Sequence, residues 1–279
     1  MKKSLALTGV LLFFLLSLKA RSPFPSKEQV GMFMNSTTCV VLEKSMLPFN
    51  IEVKKAMEKS WKITDFEFID VDEFQERRFD SKYSFIFIAR VEFEDDEDNI
   101  EYNFLNLTLG DTTENMAGMP EFASLPLAYA DDYSGDYSYA VPAMVRFIQK
   151  RVEDIRKKYL IMSISSMKRY NKNIKEIKSH ELLVDTADLA PDARDPEVFH
   201  EAYKGVVEFT STEHMEDVIY SDKNDVHFLH VVKPVMDTSR GRSYKLIFSP
   251  DGDLLYFNFH YIDESTPPGF LLADAKHIG

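Results

Sequence analysis

Cysteine is almost missing from this chain: among 279 residues there is one, Cys39. A single thiol excludes internal disulfides, so stability has to come from packing. Cys39 also falls in an apolar stretch read as a buried strand, a poor place for a nucleophile that needs access and a polarised environment. No glycine-rich phosphate loop follows the first strand of either repeat described below, so a nucleotide-binding reading lacks its anion cradle. There is no Gly-x-Ser-x-Gly elbow and no His-Glu-x-x-His pair. His227 and His230, three apart in a strand, point to opposite faces, and His200, His214 and His260 can approach them only through the fold. No cofactor and no metal are expected. Cations are in deficit, with a formal net charge of −13, which argues against nucleic acid or an anionic membrane surface as partner.

Beyond the first twenty residues nothing is apolar enough to cross a bilayer. Those twenty carry Lys2 and Lys3, an apolar run over 5–16, then Ala20. That is the order of a secretory signal peptide, and its apolar core is shorter than the roughly 20 residues a membrane span needs. The expectation is an exported protein, periplasmic or extracellular, cleaved near Ala20; a retained N-terminal anchor is the alternative.

What the chain does have is an echo. Residues 67–91 and 208–232 match without a gap at a spacing of 208 − 67 = 141. Glu67/Glu208, Phe68/Phe209, Lys82/Lys223, Phe87/Phe228 and Val91/Val232 are identical, and pairs such as Phe74/Met215 keep their character. The flanks agree. A short apolar strand ending in an acid precedes each copy, then a short helix: residues 51–62 with Val53, Met57 and Trp61 on one face, and a second opened by Asp195-Pro196-Glu197 and closed by Gly205. Short helices are expected over 72–78 and 213–219, and hairpins reach Gly110 and Gly252. The fold class is therefore α/β, with α+β the variant: two tandem copies of a strand-helix-strand-helix-strand-hairpin unit with mixed sheets.

The expected organisation is a signal peptide over 1–20, a leader over 21–36, a first module over 37–162, a basic linker over 163–178, a second module over 179–263 and a tail over 264–279. Residues 122–130 read as an edge strand, because Pro126 cannot donate to a ladder. The acidic run 92–98 reads as a solvated turn, lacking the glycine and acid spacing of a calcium loop. Val141, Val145, Ile148, Val152, Ile155, Tyr159 and Met162 recur at alternating spacings of four and three, an a/d seam on a long helix. That helix either packs on the first module or makes a coiled-coil or intermodule contact. Pro250-Asp251-Gly252-Asp253 is the clearest turn signal; its surroundings are similar to a β-propeller hairpin, but a propeller needs that unit at roughly 40-residue intervals, and it does not recur.

Chemistry is thin. The loop 131–139 packs three acids and three tyrosines around a glycine, so Asp131, Asp132, Tyr133, Asp136 and Tyr137 are the candidate ligand-binding residues, for a cation or a stacked sugar. Arg240 and Arg242 could grip an anion. Asn35-Ser36-Thr37 and Asn106-Leu107-Thr108 fit the glycosylation sequon. No catalytic constellation is present. The reading is an exported, non-enzymatic binding or scaffold protein with a protein or glycan partner. The alternative is a carboxylate-dependent hydrolase of an extracellular polymer using Asp131, Asp132 and Asp136.

Overall fold

The elements follow the hydrophobic pattern of the chain in a computed structural model that describes residues 24–96, 100–221, 225–235 and 240–279. The signal-peptide segment, Lys223 and the end of the acidic run (97–98) lie outside the described residues. The first half runs α1 (Lys27–Phe33), β1 (Thr37–Val41), α2 (Leu47–Ser60), β2 (Phe66–Ile69), α3 (Val71–Arg77), β3 (Tyr83–Glu92), β4 (Glu101–Leu109), β5 (Glu121–Tyr129) and α4 (Val141–Lys157). A short α5 (Tyr159–Met162) follows. The second half runs α6 (Ile174–Ile177), β6 (Glu181–Val184), α7 (Pro196–Ala202), β7 (Val207–Phe209), α8 (Thr212–Tyr220), β8 (Val226–Val232), β9 (Arg242–Phe248), β10 (Leu254–Tyr261) and α9 (Leu272–Ile278).

Two five-stranded mixed sheets result, in the orders β2-β1-β3-β4-β5 and β7-β6-β8-β9-β10. In each, the first three strands of that order are parallel and the hairpin strands antiparallel. Parallel neighbours need a crossover, and α2 and α7 supply it. Helix starts follow local chemistry. Asp70 accepts from the Glu73 N–H while the Glu73 carboxylate reaches back, a capping box. Asp195 accepts from the amides of Glu197 and Val198, with a proline in the first turn.

The ladders refine the echo. The row Glu67–Cys39–Phe85 in the first sheet corresponds to Glu208–Leu183–Phe228 in the second. The 141-residue spacing holds in β2 and β7, but Phe85 and Phe228 are 228 − 85 = 143 apart. Phe228 thus occupies the ladder position of Phe85 rather than that of Phe87, because the segment containing α8 is two residues longer than the one containing α3. A slip of two returns each side chain to the same face, so the hydrophobic pattern survives it.

Three segments expected to be irregular belong to the core. The leader forms α1, held by a Ser26–Gln29 capping box, and buries Phe33 completely. The basic linker forms a 3-10 turn (Met167–Asn173) and α6; Asn171 exchanges two hydrogen bonds with the Phe257 backbone, at 2.8 and 3.0 Å. The tail ends in α9, with Phe270, Ala275 and Ile278 fully buried. Polar composition hid these segments, since each contributes only one to three apolar side chains to a surface built elsewhere. Gly205 does not close α7: Tyr203 ends it in extended backbone. Gly252 does fill the left-handed position of its turn, at φ 84°, and lies so close to α4 that a Cβ would meet the Phe147 amide nitrogen at 2.6 Å.

α2 begins at Leu47, four residues before its expected start, and the α4 seam breaks at Lys158. Seam residues Val141, Val145, Ile148, Val152 and Ile155 are fully buried. α4 is not a coiled-coil strand, because it also buries Ala143, Met144 and Phe147. It packs on α2 and β5 in the first half and reaches α8 in the second. The largest core cluster accordingly runs through both halves, joining Val53, Ile86 and Leu107 to Phe147, Phe228 and Phe248. A second lies under α6, α7 and α9, and a small third gathers Cys39, Phe74, Phe85 and Phe87 on the other face of the first sheet.

Trp61 and Tyr203 each follow the last turn of their crossover helix in extended backbone, and both are buried. Trp61 Nε1 donates to Thr64 Oγ1 at 2.9 Å, and the Tyr203 hydroxyl donates to the Ile177 carbonyl at 3.3 Å. Trp61→Ala should lower unfolding free energy by about 3–5 kcal/mol in a urea titration; a melt indistinguishable from the parent would place Trp61 outside the core.

Candidate functional site

A mixed sheet has two faces to cover. On the first sheet, Val40, Ile86, Ile88, Leu105 and Leu107 share the core that α2 and α4 cover. The opposite face carries Phe85, Phe87, Asn106 and Thr108 and is covered only in part, by α3 through Phe74 and by the loop after β4 through Met119. The remainder is a cleft of about 950 Å³, within the size range of small-molecule and peptide sites. Phe87, Phe104, Asn106, Thr108 and Ser124 line it along the strands, and Glu43, Met116 and Tyr133 lie at its edges.

The strand residues in the cleft are amphipathic. Asn106 Oδ1 accepts from the Ser124 hydroxyl at 2.8 Å. Thr108 is 3% exposed and its Oγ1 has no hydrogen-bond partner, an arrangement that carries a desolvation penalty unless a ligand or water supplies one. Around this polar strip the walls are mainly apolar, with Gln75, Arg90, Asn115 and Glu121 also among the lining. Burial raises the Glu43 carboxyl above its usual range, with Arg90 nearby opposing the shift. Asn106 is 8% exposed within β4, so the sequon it heads is closed to a glycan in the folded chain.

Of the seven sequence-predicted residues, only Tyr133 lines the cleft; it is 78% exposed at the edge. Asp131 and Asp136 are exposed, and Asp132 Oδ1 accepts from the Ser134 amide and hydroxyl, at 3.0 and 2.6 Å, closing a local turn. Tyr137 is buried, which pushes its hydroxyl up to about 12. Arg240 is exposed just before β9.

Arg242 is buried between the halves. Its Nε donates to Asp96 Oδ1 at 2.8 Å, Asp95 binds a second guanidinium nitrogen, and the Phe93 ring lies 3.8 Å beneath. Tyr102 donates to Asp96 at 2.7 Å, and Tyr129 donates to the Arg242 carbonyl at 2.7 Å. The acidic run is therefore not simply a solvated turn: the Asp96 side chain is fully buried. Its guanidinium engaged by this chain's own carboxylates, Arg242 joins the halves.

Other reactive groups are committed internally. Burial pushes the Cys39 thiol up to about 12. Buried His230 places Nε2 3.1 Å from the Leu127 carbonyl, which assigns the proton to Nε2 and leaves Nδ1, 3.2 Å from the Tyr139 hydroxyl, as acceptor; burial holds its pKa down at about 4. Lys245 is fully buried 3.1 Å from Asp274, which also accepts from Tyr256 and Asn258 and caps the Leu271 amide, pinning α9 to the second sheet. A second cavity of about 340 Å³ beside α4 is lined by Lys150, Arg151, Lys158, Arg169 and Lys172. There Lys150 pairs with Asp253, Lys158 with Asp154, and Arg151 donates to the Phe122 carbonyl. Among the described residues no group of three or more His, Cys, Asp or Glu could hold a metal ion. Comparisons with protein-family models, with curated proteins and with solved structures find no match to this chain.

Sequence reasoning missed Asn106, Thr108 and Ser124. Their signal was polar residues at alternate positions of an apolar strand, with Ser124 opposite Asn106 in the ladder. Thr108→Val keeps the shape and removes the unpartnered hydroxyl, so it should raise unfolding free energy by roughly 1 kcal/mol in urea; an unchanged midpoint would show that water in the cleft already satisfies it.

Proposed function

We propose that this is a non-enzymatic binding protein whose ligand lies in the cleft on the outer face of the first sheet. The observation that carries the reading is the cleft itself: mainly apolar walls around a polar strip, with one buried hydroxyl unpartnered. The ligand this suits is largely apolar, with a hydrogen-bonding group positioned over Asn106, Thr108 and Ser124. The acids a hydrolase would draw on lend that alternative no support, since none of Asp131, Asp132 and Asp136 lines the cleft.

Two further parts belong to the proposal. The halves derive from one duplicated α-β-α-β-α-β-β-β-α unit, a reading supported by the residue echo, the common strand order and the corresponding ladder rows. The protein also acts outside the cytoplasm, as the charged, apolar and small-residue order of its first twenty residues suggests. No helix among the described residues is long and apolar enough to cross a membrane. N-terminal sequencing of the exported protein should begin near Arg21; an intact Met1 in a membrane fraction would refute cleavage.

The cleft is tested by titration with anilinonaphthalene sulfonate, whose fluorescence rises in apolar sites. The expected result is saturable binding that weakens about tenfold when Met116→Asp and Tyr133→Asp are combined at the edge, with an unchanged circular dichroism spectrum. Equal binding by parent and variant would remove the cleft from consideration.

A further inference from the structure

The second sheet shows what fills this face when it is occupied. Its ladders place Phe228, His230, Leu246 and Phe248 where the first sheet has Phe85, Phe87, Asn106 and Thr108. In the second sheet that face is covered by the first half of the same chain. The 3-10 turn Asp136–Ala140 and the start of α4 lie on it: the Tyr139 ring stands 6.0 Å from Phe228 and 5.6 Å from His230, and Phe147 stands 6.1 Å from Phe248. The Tyr139 hydroxyl completes the seat, lying 3.1 Å from the Leu229 carbonyl and 3.2 Å from His230 Nδ1 and sharing its one proton between them. The halves are thus nested head to tail, each burying a different surface in the contact. Such a heterologous arrangement leaves one copy of the receiving face unfilled, and that copy is the cleft.

From this correspondence, which rests on the binding reading above, we infer that the cleft receives a turn-and-helix segment of another protein, seated through an aromatic side chain as Tyr139 and Phe147 are seated on the second sheet. The strand residues tell the two faces apart. Leu246 and Phe248 are fully buried and Phe257 half-buried on the covered face, whereas Asn106, Thr108 and Ser124 stand at the same ladder positions in the cleft. A face on which no helix is seated has room for polar groups among its strands, and those groups then favour a hydrogen-bonding partner in whatever docks.

A second copy of this chain is the poorer fit. The element that would present itself is α9, which follows β10 as α4 follows β5. Its exposed residues are Ala273, Lys276 and His277, with no apolar side chain to match Phe147. With α9 set aside, the inferred occupant is a different chain, with helix-in-groove recognition through apolar residues at helical spacing as the physical mode. A second copy docking through its exposed Leu160, Ile161 and Ile164 is the outcome that the dimerisation measurement below separates.

The experiment pans a phage-displayed library of short helix-forming peptides on the immobilised full chain. The expected result is enrichment of peptides with an aromatic residue and apolar neighbours three or four positions away, whose affinity falls about tenfold in Met116→Asp and is unchanged in Lys276→Glu on the far side. Failure to enrich, or enriched peptides indifferent to Met116→Asp, would overturn the inference. If the dye binds and responds to the edge variants while no peptide is selected, the binding reading stands and the peptide inference fails; if neither binds, both fail. Palmitate displacing the dye in the absence of selected peptides would assign the cleft to a lipid chain. Concentration-dependent dimerisation abolished by Met116→Asp, measured by light scattering, would assign it to a second copy.

Discussion

One helix holds this molecule together by being buried on two sides. α4 covers the inner face of the first sheet with Val145, Ile148 and Val152, while Phe147 lies against the second sheet at Phe248. Sheets with a parallel core need cover on both faces, and here one helix meets that need for two sheets. The arrangement explains why the core runs through both halves. It also explains why the first sheet's outer face has so little above it: nothing in the described chain stands to it as α4 stands to the second sheet.

Polar groups fix how the halves meet. Apolar burial is non-directional, so a hydrophobic contact alone tolerates sliding. Arg242 between Asp95, Asp96 and the Phe93 ring, and His230 between Leu127 and Tyr139, each require a particular register. The Tyr220 hydroxyl, donating to buried Glu52, adds a third tie between α8 and α2. A charge held in a low-dielectric interior is tolerable only when paired and hydrogen-bonded, so the Arg242 and Glu52 contacts oppose any sliding that would separate them. The cleft follows opposite rules. Thr108 is left unpartnered and Met116 is exposed, local inconsistencies of the kind that the proposed binding role would account for.

Much of the architecture was legible because it is written in local periodicities. The Pro250–Asp253 turn with its left-handed glycine, the Asp195 cap of α7, the edge position of Pro126 and the apolar face of α2 ending at Trp61 each rest on residues within a few positions of one another. The Glu67 and Glu208 segments show the same local order 141 positions apart. Even the two-residue slip between the matched segments left the face assignments intact, because the strand period is two. The short elements α1, α6 and α9 were not legible: a helix of four to seven residues has too few apolar positions to declare a face, and these lie outside the matched segments and flanks through which the equally short α3 and α7 were read.

The sequence by itself determined the class of fold, the repeated order of elements, the dependence on packing rather than disulfides, and the poverty of catalytic motifs. Tertiary structure alone decided which candidates face the cleft and which are struts. Arg242 and Asp96 lie 146 positions apart, so neither an anion grip nor a solvated turn could be told from an internal ion pair until the halves were nested. The cleft was hidden for the same reason. Whether a strand face is core or binding surface depends on what is stacked upon it, and that is a property of packing that no local pattern carries.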